Sequence, residues 1–365
     1  MRTHIHVQSY SVPLRSSFKH HSAERKTTAT VLVSIERNSL KGFGEACPRS
    51  YVTGETVEGA MSWIKSKVDD LSDIQTLNDL KIWSEKMSHQ IDGNLSAYCA
   101  VELAYLDLLS KEANQSLENF LGLPEASGSF QYSAVVSDEE GEKLEKILKS
   151  YLHMGFFDFK FKLSGQLEVD QKKFALLDQL AGTQNSKIKI RVDANNIWAH
   201  KPKEALDYLR KLKRNFSAIE EPLGAHEWEG LSDLSIQLET PFILDESLLT
   251  VEDMQKALTL PGQWIPNIRI SKVGGILRAL KIAKIATDAG CKLIIGAQVG
   301  ETSLLTRAAL SVAQAYKKHI MAQEGAFGTL LIEKDIAQPE LRFGSGGHLN
   351  WKQEGFGFGL NVEDF

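Results

Sequence analysis

Apolar and polar positions over residues 130–325 alternate between the period of a strand and the period of a helix. Short β-rich runs recur about every 25 to 30 residues, which is the length of successive strand–helix units. The predicted strands are FQYSAVV (130–136), FDFKFKL (157–163), KIKIRVD (187–193), FSAIEEP (216–222), PFILDES (241–247), NIRISKV (267–273), KLIIGAQV (292–299) and HIMAQEG (319–325). Between them, apolar residues three and four apart predict amphipathic helices, for example over 138–153, 169–180, 202–213 and 276–289. Little helical pattern follows the eighth strand.

This series fits two α/β architectures, a doubly wound open sheet and a (β/α)8-type barrel. No Gly-rich dinucleotide-binding turn follows the first predicted strand, and the number of strand–helix units suits a barrel. We therefore predict a TIM-type barrel over residues 126–335.

Residues 1–125 have a different pattern, which predicts a separate α+β domain. Its elements are two strands (Ile5–Val12 and Thr28–Ile35), a Gly-bearing segment GFGEACP, and helices around Val57–Val68, Thr76–Met87 and Leu95–Ala113. The stretches Leu14–Lys26 and Pro48–Glu55 lack periodicity, so we predict them as loops that reach across the barrel mouth. The glycine-rich residues 336–365 lack the strand–turn–helix context of a phosphate site and predict tight turns.

Composition narrows the class of protein. The chain has 365 residues, of which 42% are hydrophobic and 24% charged, with a net charge of -5 and a pI near 6.1. This balance gives no basic field for nucleic acid. Three distant cysteines indicate neither a disulfide framework nor a thiolate metal site. Neither a signal peptide nor a membrane-spanning run is recognisable, so we expect a cytoplasmic enzyme or binding protein that does not associate with membranes.

The second predicted strand, FDFKFKLSG (157–165), carries two lysines on one face. Lys160 and Lys162 alternate with Phe157, Phe159, Phe161 and Leu163, so the ammonium groups share one face and the apolar side chains share the other. In a lone strand the polar face would meet water, but in a barrel it points inside. Lys160 then lies beside Lys162 and lowers its pKa as a neighbouring cation, or contacts a substrate carboxylate.

Three consecutive strands end in carboxylates, which indicates a metal site. Asp193 in RVDAN, Glu220 in IEEP and Asp245 in LDES lie at the carboxyl ends of strands, where barrel active sites are found. Hard oxygen ligands with open positions suit Mg²⁺. Glu221 and Glu246 are adjacent alternatives, because neighbouring residues of a strand point to opposite faces.

The sixth strand supplies Lys272, just before Gly274 and Gly275. Strands two and six lie opposite each other in a ring of eight, so Lys162 and Lys272 should face each other across the barrel. A lysine acts as a base near neutral pH only if its pKa falls well below about 10.4, and burial lowers it. Such a pair suits removal of a proton from one face of a substrate and its return to the other, with a divalent cation on the substrate's carboxylate.

Together these motifs resemble the enolase superfamily, in particular its muconate-lactonizing-enzyme subgroup with its dipeptide epimerases. The resemblance covers nearly the whole chain and rests on GFGEACP, VTGET, the K-F-K pair, RVDAN, IEEP, LDES, SKVGG and GETS, in that order. It implies a modified (β/α)7β barrel, Mg²⁺ or alternatively Mn²⁺ bound by Asp193, Glu220 and Asp245, and Lys162 with Lys272 as the acid–base pair. It also implies a homo-oligomer, and a capping domain that residues 336–365 complete.

One stretch departs from the pattern of the dipeptide epimerases that this chain otherwise resembles. They present an Asp-x-Asp pair on the eighth strand for the substrate's ammonium group, whereas this chain has Gly325 and Phe327 at those positions. Glu301 and Glu324 are candidate replacements. We expect substrate specificity to come from the two loops and from residues at strand ends, namely Ser133, Asn195, Gln298 and Glu301.

From these residues we predict a Mg²⁺-dependent racemase or epimerase that removes the proton α to the carboxylate of a dipeptide, an N-acylamino acid or another small carboxylate. The same residues suit a cycloisomerase or an o-succinylbenzoate synthase-like syn-dehydratase, in which one lysine is a static cation. Two further classes stay open. One is a Schiff-base aldolase, because a buried lysine of lowered pKa is also a nucleophile. The other is a non-catalytic binding protein that retains the barrel.

Overall fold

The computed structural model describes residues 3–20 and 23–365, with the side chains of 3–15 and 27–365. Its N-terminal part is an antiparallel sheet with strand order β1-β2-β3, packed against helices. The strands are β1 (His4–His20), β2 (Ala23–Arg37) and β3 (Leu40–Ala46). The helices are α1 (Val57–Lys65), α2 (Val68–Ser72), α3 (Leu77–Lys86), α4 (Ser88–Asp92), α5 (Leu95–Glu112) and α6 (Leu117–Leu121).

Helix α5 is the centre of this N-terminal part. Nearly all of its residues are buried, because its sequence is apolar on every side rather than on one stripe. Strand β3 packs closely on it at Gly44, where an added Cβ would lie 1.9 Å from the Ala100 carbonyl oxygen. Glu55 begins the helix by accepting bonds from the N–H groups of Ser96 and Ala97.

Strands and helices then alternate to form the barrel. The first half comprises β4 (Gly128–Gln131), β5 (Ala134–Val136), α7 (Gly141–His153), β6 (Asp158–Lys162), α8 (Leu167–Ala181), β7 (Lys189–Asp193), α9 (Pro202–Lys211) and β8 (Ala218–Glu220). The second half comprises α10 (Trp228–Leu238), β9 (Phe242–Leu244), α11 (Val251–Leu258), β10 (Trp264–Arg269), α12 (Ile276–Asp288), β11 (Leu293–Gly296), α13 (Ser303–Ala315) and β12 (Ile320–Gln323). Short 3₁₀ turns lie at Gly182–Lys187 and Ser345–Gly347.

Eight parallel strands, β5 to β12 in chain order, form the barrel sheet. The two edge strands meet where the Ser133 N–H donates to the Gln323 carbonyl oxygen at 2.8 Å. The element order from β5 to β12 is therefore (β/α)7β, and the predicted fold class is confirmed.

The predicted first barrel strand, 130–136, is two strands in the structure. Only Ala134–Val136 joins the barrel, while Gly128–Gln131 pairs antiparallel with β14 (His348–Trp351) from the C-terminal segment. Ser133 therefore lies before the first barrel strand and not at its carboxyl end. Continuous β propensity in the sequence hid the change of pairing partner.

The predicted loop Leu14–Lys26 is wrong for its described residues. Residues 14–20 belong to β1 and 23–26 to β2, because the hairpin ladder continues past the apolar alternation. Residues 21 and 22 lie outside the described residues. Arg15 ties this hairpin to the segment after β12, since its Nε donates to the Ile332 carbonyl oxygen at 2.8 Å.

The second predicted loop is confirmed, because no strand or helix is present in Pro48–Glu55. Its Arg49 donates to the carbonyl oxygen of Val299 at 2.5 Å, just beyond the carboxyl end of β11. This contact places the loop at the mouth of the barrel.

The C-terminal segment contacts both parts of the chain. Its remaining strands, β13 (Ala337–Gln338) and β15 (Asn361–Val362), pair with each other, and Lys41 of β3 forms an ion pair with Asp364 at 2.8 Å. No helix among the described residues combines the length and the apolar character needed to cross a membrane.

Candidate active site

Strand register brings three predicted site residues into one row. Lys162 of β6 is paired with Asp193 of β7, and Asp193 is paired with Glu220 of β8. Each of the three ends its strand, at the carboxyl edge of the barrel. Asp193 and Glu220 are buried, and Lys162 is half-buried. Among the described side chains Lys162 forms no ion pair.

Asp245 and Lys272 form the opposite wall. Asp245 follows β9, and Lys272 lies just beyond β10. The Lys272 ammonium is fully buried and donates to Asp245 Oδ1 at 2.8 Å, to the Asp245 carbonyl oxygen at 2.7 Å and to the Asn267 carbonyl oxygen at 2.9 Å. Burial lowers the pKa of Lys272 below its ordinary value, although the carboxylate of Asp245 opposes this shift. The direction is the one that a lysine base requires.

Lys160 lies inside the barrel, as the alternation predicts, and is held by three carboxylates. Its Nζ lies 2.7 Å from Glu220 Oε2, 3.3 Å from Asp193 Oδ2 and 3.0 Å from Glu324 Oε2. Burial opposes the charge, but these carboxylates outweigh it and raise the pKa of Lys160 well above its ordinary value. These contacts favour the charged form of Lys160, and its influence on Lys162 stays a prediction.

The fully buried Arg191 links the first and last barrel strands. Its guanidinium donates to Glu324 Oε1 at 2.5 Å and to Ser133 Oγ at 2.7 Å. Ser133 in turn donates to Asp158 Oδ2 at 2.5 Å, at the start of β6. Ser133 thus belongs to a polar network inside the barrel wall, which corrects its predicted position at a strand's carboxyl end.

Arg269 connects the wall of Asp245 with the end of β11. It donates to Asp245 Oδ2 through one nitrogen and to Gln298 Oε1 at 3.0 Å through another. The Gln298 N–H donates to Glu301 Oε1 at 2.7 Å, and burial raises the pKa of Glu301 to about 8. Arg269 therefore connects Asp245 with Gln298 and, through the Gln298 N–H, with Glu301, and contact of either residue with a substrate stays a prediction.

Asn195 is exposed at the mouth of the barrel and has a left-handed backbone with φ of 43°. Its N–H donates to Asp193 Oδ1 at 3.0 Å, so its backbone orients a predicted metal ligand. Contact of its side chain with a substrate stays a prediction.

The structure distinguishes between the adjacent carboxylates. Glu221 is turned toward the next loop, where its Oε1 accepts from the N–H groups of Asp245 and Ser247 at 2.7 Å each. Glu246 is half-buried beside the site, its buried Oε2 lacks a hydrogen-bond partner among the described residues, and desolvation raises its pKa to about 8. Glu220 points inward to Lys160, as predicted.

The donor set suits a hard divalent cation, but the carboxylates are not arranged around one point. Within the described residues no group of three or more His, Cys, Asp or Glu side chains is spaced to hold a metal ion. Lys160 contacts two of the three predicted ligands, and Arg269 contacts the third. Burial together with the nearby charges of Asp193 and Asp245 raises the pKa of Glu220 well above its ordinary value. A divalent cation bound to these oxygens would relieve the repulsion that raises the pKa of Glu220.

Sequence reasoning missed Arg191, Asn267 and Arg269. Arg191 lies two residues before Asp193, and Asn267 lies two residues before Arg269, so each follows the two-residue period of inward-facing side chains. The same alternation that identified Lys160 and Lys162 could therefore have identified these residues. Asn267 Nδ2 donates to Glu220 Oε1 at 3.3 Å, while its Oδ1 is buried without a partner among the described residues.

A parallel barrel with buried lysines and carboxylates at the carboxyl ends of its strands is typical of TIM-barrel enzymes. Two family models match this chain. The model described as enolase C-terminal domain-like matches residues 143–365, and the model for the mandelate racemase / muconate lactonizing enzyme N-terminal domain matches residues 2–122. The chain therefore belongs to the enolase superfamily, in its mandelate racemase / muconate lactonizing enzyme group.

Individual relatives have low identity but nearly complete coverage. The N-succinyl-L-Arg/Lys racemase of Bacillus cereus is 27% identical over 336 residues, 92% of this chain and 89% of the relative. Its crystal structure has a TM-score of 0.87 at 26% identity, covering 100% of this chain and 96% of that one. A dipeptide epimerase from Enterococcus faecalis, complexed with Mg and the dipeptide L-Leu-L-Tyr, has a TM-score of 0.82 at 25% identity, with 99% of each chain covered. An o-succinylbenzoate synthase of Listeria innocua is 26% identical over 284 residues, 77% of this chain and 72% of the relative.

Proposed function

We propose that this chain is a Mg²⁺-dependent racemase or epimerase that exchanges the proton α to the carboxylate of an N-acylated amino acid. The proposal depends on Lys162 and Lys272 being on opposite barrel walls, with three buried carboxylates at the strand ends between them. The similarity to a racemase and to a dipeptide epimerase crystallised with Mg supports both the isomerase class and the metal.

The chain's own residues divide the work. Asp193, Glu220 and Asp245 would hold the metal, which would supply stabilisation of negative charge on the substrate's carboxylate. Lys272 has a lowered pKa and acts as the base toward one face of the substrate. Lys162, on the opposite wall, serves the other face. Lys160 stays protonated and binds a substrate carboxylate oxygen.

Two glutamates near the site, Glu324 and Glu301, are already bound to other protein groups, which favours an N-acylated substrate over a dipeptide with a free ammonium group. Glu324 is already bound to Lys160 and Arg191, and Glu301 is held by the Gln298 N–H with its pKa raised to about 8. Gly325 and Phe327 add no carboxylate. The ammonium group of a dipeptide substrate would therefore lose its water without gaining a carboxylate partner. A buried unpaired charge of this kind costs several kcal/mol.

Matched substrates test this proposal. An N-propionyl amino acid and the corresponding alanyl dipeptide differ by one ammonium group, and pairs that span acidic, basic and apolar amino acids are incubated in D₂O with Mg²⁺. We expect NMR to show loss of the α-proton signal, at least about tenfold faster for the N-propionyl member of a pair. EDTA is expected to stop the exchange. The absence of Mg²⁺-dependent exchange from every pair would contradict the proposed function, whereas faster exchange of the dipeptides would contradict only the N-acyl assignment.

The alternative reactions give different products. Similarity to an o-succinylbenzoate synthase supports a dehydratase as the alternative function. A dehydratase would release water and so lower the mass of the product, whereas racemisation leaves the mass unchanged. A Schiff-base aldolase would be trapped by borohydride and unaffected by chelator. A binding protein would bind ligands without turnover.

The division of the chain into two domains is part of the proposal. We propose a capping domain over 1–125, completed by about 336–365, and a barrel domain over 126–335. The contact of Lys41 with Asp364 supports the inclusion of the C-terminal segment. A homo-oligomeric state and a cytoplasmic location stay predictions from the sequence.

A further inference from the structure

Lys160 and Glu324 form a buried pair that the proposed chemistry leaves only partly explained. The Lys160 Nζ lies within 3.3 Å of Asp193 and within 2.8 Å of both Glu220 oxygens on one side, and 3.0 Å from Glu324 Oε2 on the other. The side chains of Lys160 and Glu324 are only 4% and 10% exposed. The ammonium group is thus shared between two carboxylates proposed as metal ligands and one that is not.

Glu324 is itself held in place. Arg191 donates to its Oε1 at 2.5 Å, and the same guanidinium donates to Ser133 Oγ at 2.7 Å across the junction of the first and last barrel strands. The Glu324 N–H also donates to the Ile295 carbonyl oxygen at 2.9 Å. Both carboxylate oxygens of Glu324 therefore have cationic partners, and Arg191 and the Ile295 carbonyl oxygen hold Glu324 through contacts that do not involve Lys160.

Lys160 and a divalent cation compete for the same oxygens. Two cations that bind the same carboxylates lie a few ångströms apart, and in a buried site their repulsion costs several kcal/mol at an effective dielectric constant of about 20. A bound metal would therefore weaken the contacts of Lys160 with Glu220 and Asp193. Glu324 is the remaining carboxylate that can hold the ammonium group at the site.

We propose that Glu324 is a positioning residue that draws Lys160 away from the metal carboxylates, and so sets the affinity of the site for a divalent cation and places Lys160 for the substrate carboxylate. This rests on the proposed function, because it assigns Asp193 and Glu220 as metal ligands. Without Glu324, Lys160 binds Glu220 and Asp193 more tightly and excludes the metal more strongly.

A double-mutant cycle in Mn²⁺ affinity tests the proposal without substrate. The Kd of Mn²⁺ is measured by electron paramagnetic resonance for the wild type, Glu324→Gln, Lys160→Met and the double variant. We expect Glu324→Gln to raise the Kd about tenfold and Lys160→Met to lower it, because the competing cation is gone. In the Lys160→Met background, we expect Glu324→Gln to change the Kd by less than about threefold.

Asp158→Asn is the matched control. Asp158 lies 3.4 Å from the same Arg191 guanidinium, but within the described part of the chain its side chain forms no hydrogen bond or ion pair with Lys160. Its substitution perturbs the same Arg191 network through a longer contact, and we expect the Mn²⁺ Kd to stay within about twofold of the wild type. Circular dichroism and melting temperature establish that each variant is folded.

The outcomes separate the two ideas. An equal effect of Glu324→Gln with and without Lys160, or an equal effect of Asp158→Asn, would overturn the positioning role and leave the proposed metal site intact. Absence of Mn²⁺ binding to the folded wild type would overturn the metal site and, with it, this inference.

Discussion

At the residue scale, the distribution of buried cations determines which carboxylates of the site stay charged. Burial alone would raise the pKa of Asp245, but Arg269 and Lys272 outweigh it and hold that pKa below its ordinary value. Glu220 has the Lys160 ammonium at 2.7 Å, but burial and the neighbouring negative charges of Asp193 and Asp245 outweigh it and raise the pKa of Glu220. The pKa shifts of the two carboxylates differ in direction because Arg269 contacts Asp245 directly but lies 3.9 Å from Glu220.

Removal of Arg269 should therefore be costly. Arg269→Met leaves Asp245 with Lys272 as its remaining cation and deprives Gln298 Oε1 of its donor. Breaking a buried ion pair from one side costs several kcal/mol, and we expect the free energy of unfolding to fall by about 2–4 kcal/mol, measured with urea. Arg210→Met is the control, because Arg210 makes one exposed bond of 3.4 Å to the Gln237 carbonyl oxygen. We expect it to change stability by less than about 0.5 kcal/mol, and an equal loss in both variants would contradict the interpretation.

The inward-facing lysines and three carboxylates were predictable because alternation and strand ends fix where a side chain points. The partners of these residues were not. Arg191 and Glu324 are far apart in the sequence and meet only when the barrel closes, so the alternation in KIKIRVD indicates the face of its arginine but not its partner.

At the element scale, the packing of β3 on α5 depends on backbone approach rather than on side-chain volume. A Cβ at Gly44 would lie 1.9 Å from the Ala100 carbonyl oxygen and 2.8 Å from the Ala104 nitrogen, both of them backbone atoms of α5. The sequence marked GFGEACP as a family motif, but it did not indicate a strand there, because glycine has low β propensity.

Gly44→Ala should consequently force β3 away from α5. We expect a loss of about 3 kcal/mol or more in the free energy of unfolding, measured with urea, since overpacking against backbone has no rotamer that relieves it. Gly93→Ala is the matched control, because the nearest atom to its Cβ is the Gln90 carbonyl oxygen at 3.7 Å. A Gly44→Ala protein as stable as Gly93→Ala would show that the strand can shift freely.

At the scale of the whole molecule, two carboxylates from the N-terminal part bind the start of barrel helices. Glu45 accepts from the N–H of Thr302, before α13, at 3.1 Å, and Glu102 accepts from the N–H of Ile276, the first residue of α12, at 2.5 Å. Gly275 makes the second contact possible, because a Cβ there would lie 2.2 Å from Glu102 Oε2. These contacts fix the N-terminal part over the barrel, an arrangement that local sequence patterns do not reveal.

The buried Glu102 predicts a pH dependence of stability. Burial raises its pKa from 4.5 to about 8, opposed by the N–H donors of Leu277 and Ile276. The folded state therefore binds more protons than the unfolded state between these values, so this contribution to stability is complete below pH 4.5 and is lost as the pH rises toward 8. Between about pH 5 and 8 we expect the wild type to lose about 1–3 kcal/mol more than Glu102→Gln, measured by urea unfolding. Parallel pH profiles would contradict this expectation.

The most direct test of the proposed two-base chemistry is Mg²⁺-dependent exchange of the α-proton for deuterium, followed by NMR on both enantiomers of one N-acylamino acid substrate. We expect the wild type to exchange both enantiomers, and Lys162→Ala and Lys272→Ala each to exchange at most one, with racemisation reduced by about 10³-fold or more. Racemisation at the wild-type rate by either folded variant would contradict the assignment of the two lysines.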